Sequence, residues 1–185
     1  MTVAEHKRAL RRTMRERLRA MDPRDRAHQS TRIVAAVQEC PKFSSADHVG
    51  LYWALPDEPE VGPLLETVLK AGKGLWLPKM ESPETGYQWA RIRSLESDLR
   101  TGAFGIPEPG PNCEKKPPNR LDFVLIPGLA FSRFGARLGR GKGFYDRLAP
   151  TVPGWKAGVA FDFQLTDEIP TELHDVLLDY VFIPR

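Results

Sequence analysis

Apolar residues recur at helical spacing at the start of the chain and predict an amphipathic helix over residues 4–21. Its apolar stripe consists of Leu10, Met14, Leu18 and Met21. A second helix is predicted from Pro23 to about Cys40, because Asp22 is a good helix cap and proline suits the first helical position. Pro41 is expected to end this helix, whose buried side is predicted to hold Ile33, Val34 and Val37.

The following segments contain short apolar runs, which predict strands. Residues 49–54 and 75–78 are strand candidates, with a helix predicted between them at 62–71. Such a strand–helix–strand unit requires parallel pairing with a right-handed crossover. Further strands are predicted at 87–92, 122–126, 157–161 and 176–183.

Strands that alternate with helices predict an α/β fold, a three-layer domain with a mostly parallel central sheet. The chain has 185 residues, the length of one domain, so residues 1–185 are expected to fold as a single unit. The segment 101–120 is rich in glycine, proline and charge and is predicted to be a surface loop. In sheets of this class, ligands bind beyond the carboxyl ends of the strands.

Composition excludes several classes of protein. Hydrophobic residues make up 41% and charged residues 28%, as in an ordinary globular domain, and no apolar run is long enough to span a membrane. The basic N-terminus lacks the apolar stretch of a secretory signal. Cys40 and Cys113 fit neither a disulfide framework nor a zinc site, so we expect a protein of the cytoplasm.

The net charge of +3 is unevenly distributed. Residues 1–32 hold ten Lys and Arg against four Asp and Glu, a balance of +6, so the other 153 residues carry −3. Lys7 and Arg11 lie one helical turn apart, and their charged ends can reach one anion. The segment favours an anionic partner such as nucleic acid, a membrane surface or a phosphate ligand. A solvated helix face is the alternative interpretation.

The most distinctive segment, residues 137–147, has the sequence RLGRGKGFYDR. Glycines at alternate positions let the backbone approach a ligand closely, namely Gly139, Gly141 and Gly143. Positive charge comes from Arg137, Arg140 and Lys142. A helix predicted from Phe144 adds N–H groups, so the segment predicts a phosphate cradle, with a flexible basic turn as the alternative. It is not a Walker A loop, because Gly143 follows Lys142 where Ser or Thr belongs.

Acidic and aromatic residues near this segment are candidates for ligand contacts. Asp146 is a candidate for Mg²⁺, which favours few protein ligands and shares phosphate oxygens, and His174 and Asp175 are further candidates. A helix-start or surface acid is the alternative for both aspartates. Glu58 follows an aromatic strand, and its neighbours Asp57 and Glu60 fit equally well by composition. Tyr52 and Trp53 suit either stacking on a flat heterocycle or burial in the core.

Several blocks of the sequence resemble the 5-formyltetrahydrofolate cyclo-ligase family. Residues 126–131 (IPGLAF), Phe134-Gly135 and residues 137–146 closely resemble its signature. Residues 7–11 resemble its opening basic helix, and Glu58 with residues 63–65 resembles its substrate loop. Its C-terminal block resembles residues 158–161, Gln164, 169–170 and 174–175. The resemblance spans nearly the whole chain, in the right order.

This resemblance implies a fold like that of the sugar-phosphate isomerase and CoA-transferase group. It implies an ATP- and Mg²⁺-dependent enzyme that converts 5-formyltetrahydrofolate to 5,10-methenyltetrahydrofolate with release of ADP and phosphate. By the same resemblance, ATP is bound by Lys7, Arg8, Arg11, Arg137, Leu138, Gly139, Arg140, Gly141, Lys142, Gly143, Phe144 and Tyr145. Catalysis is assigned to Arg140, Lys142 and Tyr145. The folate is expected at Trp53 and Glu58, and Mg²⁺ at Asp146 and Asp175.

Two positions depart from the family pattern. The Thr often found after the substrate-loop acid is absent, and Glu58 is preferred to Glu60 because an ungapped match then runs through residues 63–65. Phe144 replaces a common Tyr. The expected partner is a small-molecule folate, with or without a polyglutamate tail, bound by a monomer that binds neither nucleic acid nor membrane. A nucleic-acid-binding module and a sugar-phosphate isomerase are the rival interpretations.

Overall fold

The architecture is described from a computed structural model, which covers residues 2–82, 86–102, 105–115, 121–172 and 175–184. The α-helices are α1 (Val3–Ala20), α2 (Pro23–Gln38), α3 (Pro41–Ser44), α4 (Gly62–Lys70) and α5 (Phe144–Leu148). Short 3-10 helices lie at Ala149–Thr151 and Asp162–Gln164. The strands are β1 (His48–Gly50), β2 (Gly74–Ser82), β3 (Gly86–Ile92), β4 (Leu99–Thr101), β5 (Pro107–Pro109), β6 (Phe123–Ile126), β7 (Ala130–Ser132), β8 (Arg137–Leu138), β9 (Trp155–Val159), β10 (Leu165–Thr166) and β11 (Tyr180–Phe182).

The two N-terminal helices begin and end close to the predicted positions. Thr2 and Glu5 form a capping box at the start of α1, and Asp22 accepts hydrogen bonds from the first backbone N–H groups of α2. Pro41 does not act as the predicted stop, because α2 ends at Gln38 and Pro41 begins α3. Proline suits this position because a first helical residue needs no N–H partner.

The central sheet has six strands in the order β11-β9-β6-β1-β2-β3. All neighbours pair in parallel except β2 and β3, so the predicted mostly parallel sheet is confirmed. From β1 the chain passes through α4 to β2 on one side, whereas β6, β9 and β11 lie on the other side. The order therefore reverses between β1 and β6, which is the place where open α/β sheets bind ligands.

Side chains alternate between the two faces of the sheet and build two cores. One face packs against the first four helices, as shown by a cluster that joins Leu18, Ile33 and Leu65 to Leu75 and Phe123. The other face carries a smaller cluster, which includes Trp76, Val124, Ile126, Leu148 and Leu178. Helices therefore cover both faces, which confirms the three-layer prediction.

The observed strands differ from the sequence prediction in several places, among them the last strand, which covers only Tyr180–Phe182 of the predicted 176–183. Only His48–Gly50 pairs in the segment predicted as a strand over 49–54, although the Leu51 N–H still donates to the Trp76 carbonyl at 2.9 Å. The glycine-rich stretch contains the unpredicted hairpin of β7 and β8, whose turn uses Gly135 with φ +83°. Another difference lies in the predicted loop 101–120, where β5 pairs with β4; residues 103–104 and 116–120 lie outside the described residues.

Within the described ranges, the helices are all too short or too polar to cross a membrane.

Candidate active site

A cavity of about 260 Å³ lies at the carboxyl ends of the central strands. Its wall includes the segments that follow β1 and β6, at the point where the strand order reverses. The sequence-predicted residues in this wall are Trp53, Glu58, Arg137, Gly139, Arg140, Lys142, Gly143, Phe144, Tyr145 and Asp146. The fold therefore brings the predicted phosphate loop and the predicted substrate residues to one site.

The glycine-rich loop takes a shape that requires glycine at two positions. Gly141 has φ +104° and Gly143 has φ +64°, which side-chain-bearing residues rarely adopt. Lys142, between them, is exposed and lies 5.8 Å from the centre of the Phe144 ring. Leu138 is buried in the core, so it can offer a ligand only its backbone.

Arg137 holds the glycine-rich loop in place. Its side chain is 5% exposed, and its guanidinium donates to Asp146 Oδ1 at 2.6 Å and to the Pro127 carbonyl at 3.0 Å. It also lies 5.8 Å from the centre of the Tyr145 ring. Arg137 therefore fixes the loop to the segment after β6, and its partner Asp146, whose side chain is a quarter exposed, borders the cavity.

Arg140 connects the glycine-rich loop to the segment after β1. It donates to both carboxylate oxygens of Asp57, at 3.1 and 2.6 Å, and to Glu58 Oε1 at 3.1 Å. Glu58 is only 6% exposed, and its Oε2 accepts from the Leu55 N–H at 3.0 Å. A buried carboxylate needs such partners to remain charged.

Burial dominates the protonation of several groups around this pair. It raises the pKa of Glu58 above its ordinary value, and the charge of Arg140 opposes that rise. Burial, followed by the nearby charge of Glu58, raises the pKa of Tyr52 and of Tyr145 well above the usual value. Both tyrosines therefore stay protonated at neutral pH and can donate a hydrogen bond; Tyr52 donates to the Pro59 carbonyl at 3.1 Å.

The basic face of α1 packs against the glycine-rich loop. Arg11 Nε donates to the Gly139 carbonyl at 2.9 Å, and Arg15 Nη2 donates to the Arg140 carbonyl at 2.9 Å. Arg8 lies on an exposed part of the same helix. Arg11 and Arg15 therefore bind the loop through its carbonyls, whereas Lys7 donates to other acceptors. That Lys7 and Arg11 reach one anion stays a prediction.

Lys7 and Asp175 pair with each other. Lys7 Nζ donates to Asp175 Oδ2 at 2.6 Å and to Glu172 Oε2 at 2.8 Å. Burial lowers the pKa of Lys7, but its hydrogen bonds to Asp175 and Glu172 outweigh burial, and the pKa is raised overall. His174, which was predicted beside Asp175, lies outside the described residues.

The carboxylates do not form a metal cage. Across the part of the chain that the structure describes, no cluster of three or more His, Cys, Asp and Glu has the arrangement of a metal site. Asp146 borders the cavity beside Arg137, whereas Asp175 is held at Lys7. This donor set fits an ion held mainly by ligand phosphates and water, as Mg²⁺ usually is, with Asp146 as the available protein carboxylate.

Sequence reasoning missed several residues of the site. Arg15 continues the spacing of Lys7 and Arg11, so helical periodicity contained a signal for it. Composition did not distinguish Asp57 from Glu58 and Glu60, and only the fold shows that Asp57 forms an ion pair with Arg140. Tyr87 and Glu108 line the cavity from β3 and β5, and neither stands in a recognisable pattern.

A mostly parallel sheet with a cationic glycine-rich loop at its switch point is an arrangement typical of α/β enzymes. The sequence model described as the 5-formyltetrahydrofolate cyclo-ligase family matches residues 3–184. The chain belongs to this family.

Individual relatives agree with this membership. The 5-formyltetrahydrofolate cyclo-ligase of Mus musculus is 29% identical, with 98% of this chain and 95% of the relative covered. The enzyme of the same name from Escherichia coli K12 is 30% identical, with 92% and 96% covered. The NMR structure of Aquifex aeolicus 5,10-methenyltetrahydrofolate synthetase superposes with a TM-score of 0.84 at 35% identity, covering 96% of this chain and 88% of that one.

Proposed function

We propose that this chain catalyses the ATP-dependent conversion of 5-formyltetrahydrofolate to 5,10-methenyltetrahydrofolate, with release of ADP and phosphate. The observation that carries the proposal is Arg140, which joins the phosphate-type loop to the buried acid Glu58 within one cavity. A reaction between a nucleotide and a second small molecule needs this arrangement, because both ligands must meet with their reacting atoms in contact.

The proposed chemistry makes a poor leaving group into a good one. The formyl oxygen attacks the γ-phosphorus of ATP, which forms an O–P bond and releases ADP. Nitrogen 10 then attacks the formyl carbon and loses its proton, and the C–O bond breaks so that phosphate leaves with the formyl oxygen. Phosphoryl transfer requires positioning and charge neutralisation rather than a protein nucleophile.

The residues of the cavity have distinct tasks in this proposal. Lys142 supplies positive charge for the phosphates, Arg140 holds the loop beside them through Asp57 and Glu58, and the backbone at Gly141 and Gly143 allows close approach. Arg11 and Arg15 hold the loop in place through its carbonyls. Tyr145, which lines the cavity, donates a hydrogen bond near the reacting oxygen through its phenolic O–H.

The folate and the metal ion take the remaining positions. Trp53 and Glu58 contact the folate, with Trp53 at the boundary between the cavity and a neighbouring groove. Mg²⁺, when bound with the nucleotide, supplies positive charge for the phosphates, and Asp146 is the residue that fits it. Asp175 acts on Lys7 in this arrangement and serves the site by holding α1.

The proposal also includes the setting of the reaction. The enzyme acts as a monomer of one domain in the cytoplasm, and its substrates are small molecules rather than nucleic acid or membrane. Lys7, Arg11 and Arg15 donate to acceptors of the protein itself, which supports a local role for the basic helix.

The direct test is an absorbance assay. The purified protein is mixed with 5-formyltetrahydrofolate, MgCl₂ and ATP, and formation of the methenyl product is followed in the near ultraviolet. Product is expected only when all three are present. Failure to form product, or equal product without ATP, contradicts the proposal, and the second result favours an isomerase-type activity.

A further inference from the structure

The wall of the cavity contains a carboxylate whose charge no described residue compensates. Among the described residues, three acids line the cavity: Glu58, Asp146 and Glu108. Glu58 pairs with Arg140 and Asp146 pairs with Arg137. Glu108 Oε1 is shielded from solvent, and no donor among the described residues reaches it.

The fold holds Glu108 at this place. It is the central residue of β5, which pairs with β4 in the register Arg100↔Glu108. Gly102 lies directly beside this side chain, since a Cβ atom there would lie 2.3 Å from Glu108 Cδ and would displace the carboxyl group from its present position. An unpaired buried carboxylate oxygen is costly, and native proteins keep such groups chiefly where a ligand or a function uses them.

The surroundings of Glu108 connect it to the glycine-rich loop. Burial, followed by the charge of Glu108, raises the pKa of Tyr87 to about 12, so the tyrosine hydroxyl and the carboxylate share a poorly solvated region. The Tyr87 ring lies 4.8 Å from the Phe144 ring in an edge contact, centre to centre. Glu108, Tyr87 and the glycine-rich loop therefore border the same cavity.

The chemistry of an unpaired carboxylate selects a ligand edge with N–H donors. The bicyclic ring of a tetrahydrofolate has such an edge in its 2-amino group and the neighbouring ring N–H, and a carboxylate accepts both. Glu58 already accepts one hydrogen bond on each oxygen within the protein, so it has only part of its acceptor capacity left for another atom of the folate. We propose that Glu108 is a specificity-determining residue that accepts hydrogen bonds from the amino-pyrimidine edge of the folate ring. This inference rests on the proposed function.

The test compares the dissociation constant of 5-formyltetrahydrofolate, measured by calorimetry without ATP, in wild type and variants. Glu108→Ala is expected to weaken binding at least tenfold, about 1.4 kcal/mol, and Glu108→Gln less, since one acceptor oxygen remains. The control is Glu81→Gln, because Glu81 also has a buried, unpartnered Oε1 but lies outside the cavity wall. The control variant is expected to bind 5-formyltetrahydrofolate with wild-type affinity. All variants are expected to bind ATP with wild-type affinity.

A second ligand separates direct contact from an indirect effect. A 2-desamino analogue of 5-formyltetrahydrofolate is expected to bind wild type more weakly than the parent, and Glu108→Ala is expected to reduce that difference. Equal losses for both ligands would overturn the inference, as would unchanged affinity in Glu108→Gln. If wild type itself does not bind 5-formyltetrahydrofolate, the proposed function fails. If wild type binds it and the Glu108 variants bind it with the same affinity, this inference alone fails.

Discussion

The residues that define the site are held by partners far away in the sequence. Arg140 meets Glu58 across 82 positions, and Lys7 meets Asp175 across 168. Residue type and loop context were sufficient to predict that Arg140 and Glu58 serve one site, but not that they contact each other. Composition left Asp57, Glu58 and Glu60 as equivalent acids, and the family resemblance preferred Glu58 to Glu60. Glu58 is also the buried one, whereas the other two are more exposed.

Lys142 is the residue whose replacement should separate activity from stability. The side chain is exposed, so Lys142→Ala is expected to change the melting temperature by less than about 2 °C, which corresponds to about 0.5 kcal/mol. Loss of a charge at the phosphates should reduce kcat/KM for ATP by about 100-fold or more. Steady-state kinetics and thermal unfolding measure the two effects.

Lys70→Ala is the matched control for this variant. Lys70 is also exposed and has an ion-pair partner, Glu66, but it lies on α4 away from the cavity. It should keep both activity and stability. Normal ATP kinetics in Lys142→Ala would contradict the assignment of the glycine-rich loop to phosphate.

The protonation of Glu58 should set the acid limit of folate binding. Burial raises its pKa above the ordinary value, so the carboxylate gains a proton at higher pH than a solvated glutamate. A protonated Glu58 loses its ion pair with Arg140, and folate affinity should fall as the pH decreases toward that raised pKa. Because Arg140 opposes the rise, Arg140→Gln should move the acid limit to still higher pH.

The pH dependence of folate dissociation constants, measured in parallel for wild type, Arg140→Gln and Glu58→Gln, checks this prediction. Glu58→Gln should bind folate weakly and without that acid limit. An acid limit that stays at the same pH in all three proteins would assign it to the folate itself.

At the scale of elements, prediction succeeded where a periodic pattern was long and failed where strands were short. The apolar stripes of α1 and α2 gave their bounds to within about two residues. The hairpin of β7 and β8 was missed because its strands have three and two residues, too few to show alternation. The segment 49–54 is apolar and was therefore predicted as a strand. After Gly50, however, its side chains line the core and the cavity, and its backbone leaves the regular strand pairing.

The shape of the glycine-rich loop should matter more for ATP than for folding. A Cβ atom at Gly141 would meet only the Arg11 side chain, at 3.6 Å, so the strain in Gly141→Ala comes from φ +104°. We expect a loss of about 1–2 kcal/mol in stability and a larger loss in ATP affinity, because the loop must change shape. Gly72→Ala is the control, since Gly72 has φ +70° in open space at the end of α4. Calorimetric titration with ATP should show normal affinity for the control only; equal affinities would contradict this role of the loop.

Gln164 should connect the C-terminal part of the chain to the loop after β6. Its side chain is 1% exposed, donates to the carbonyls of Gly128 and Leu129 at 3.0 and 3.1 Å, and accepts from the Phe161 N–H at 2.9 Å. Gln164→Ala leaves these groups without partners in the interior and is expected to lower the free energy of unfolding by about 3 kcal/mol. Urea denaturation measures this loss. Gln38→Ala, which removes an exposed hydrogen bond to Thr67, should cost less than about 0.5 kcal/mol; similar losses in both variants would contradict the role given to Gln164.

At the scale of the whole molecule, the uneven charge of the chain has a local explanation. The excess of +6 in residues 1–32 suggested an extended polyanion, but the fold places the inner face of α1 against the glycine-rich loop and the acids Glu172 and Asp175. The reversal of strand order between β1 and β6 then brings both halves of the site together. Fold class was predictable because alternating helices and strands allow few topologies, whereas the pairing of side chains across the cavity required the structure.

The central claim is that one site transfers a phosphoryl group to the formyl oxygen and then closes the ring. The most direct measurement uses 5-formyltetrahydrofolate labelled with ¹⁸O in the formyl group, with ATP and MgCl₂, and mass analysis of the inorganic phosphate released. We predict that each phosphate formed with the methenyl product carries one ¹⁸O atom from the formyl group. Methenyl product accompanied by unlabelled phosphate, or label found in water, would contradict the account.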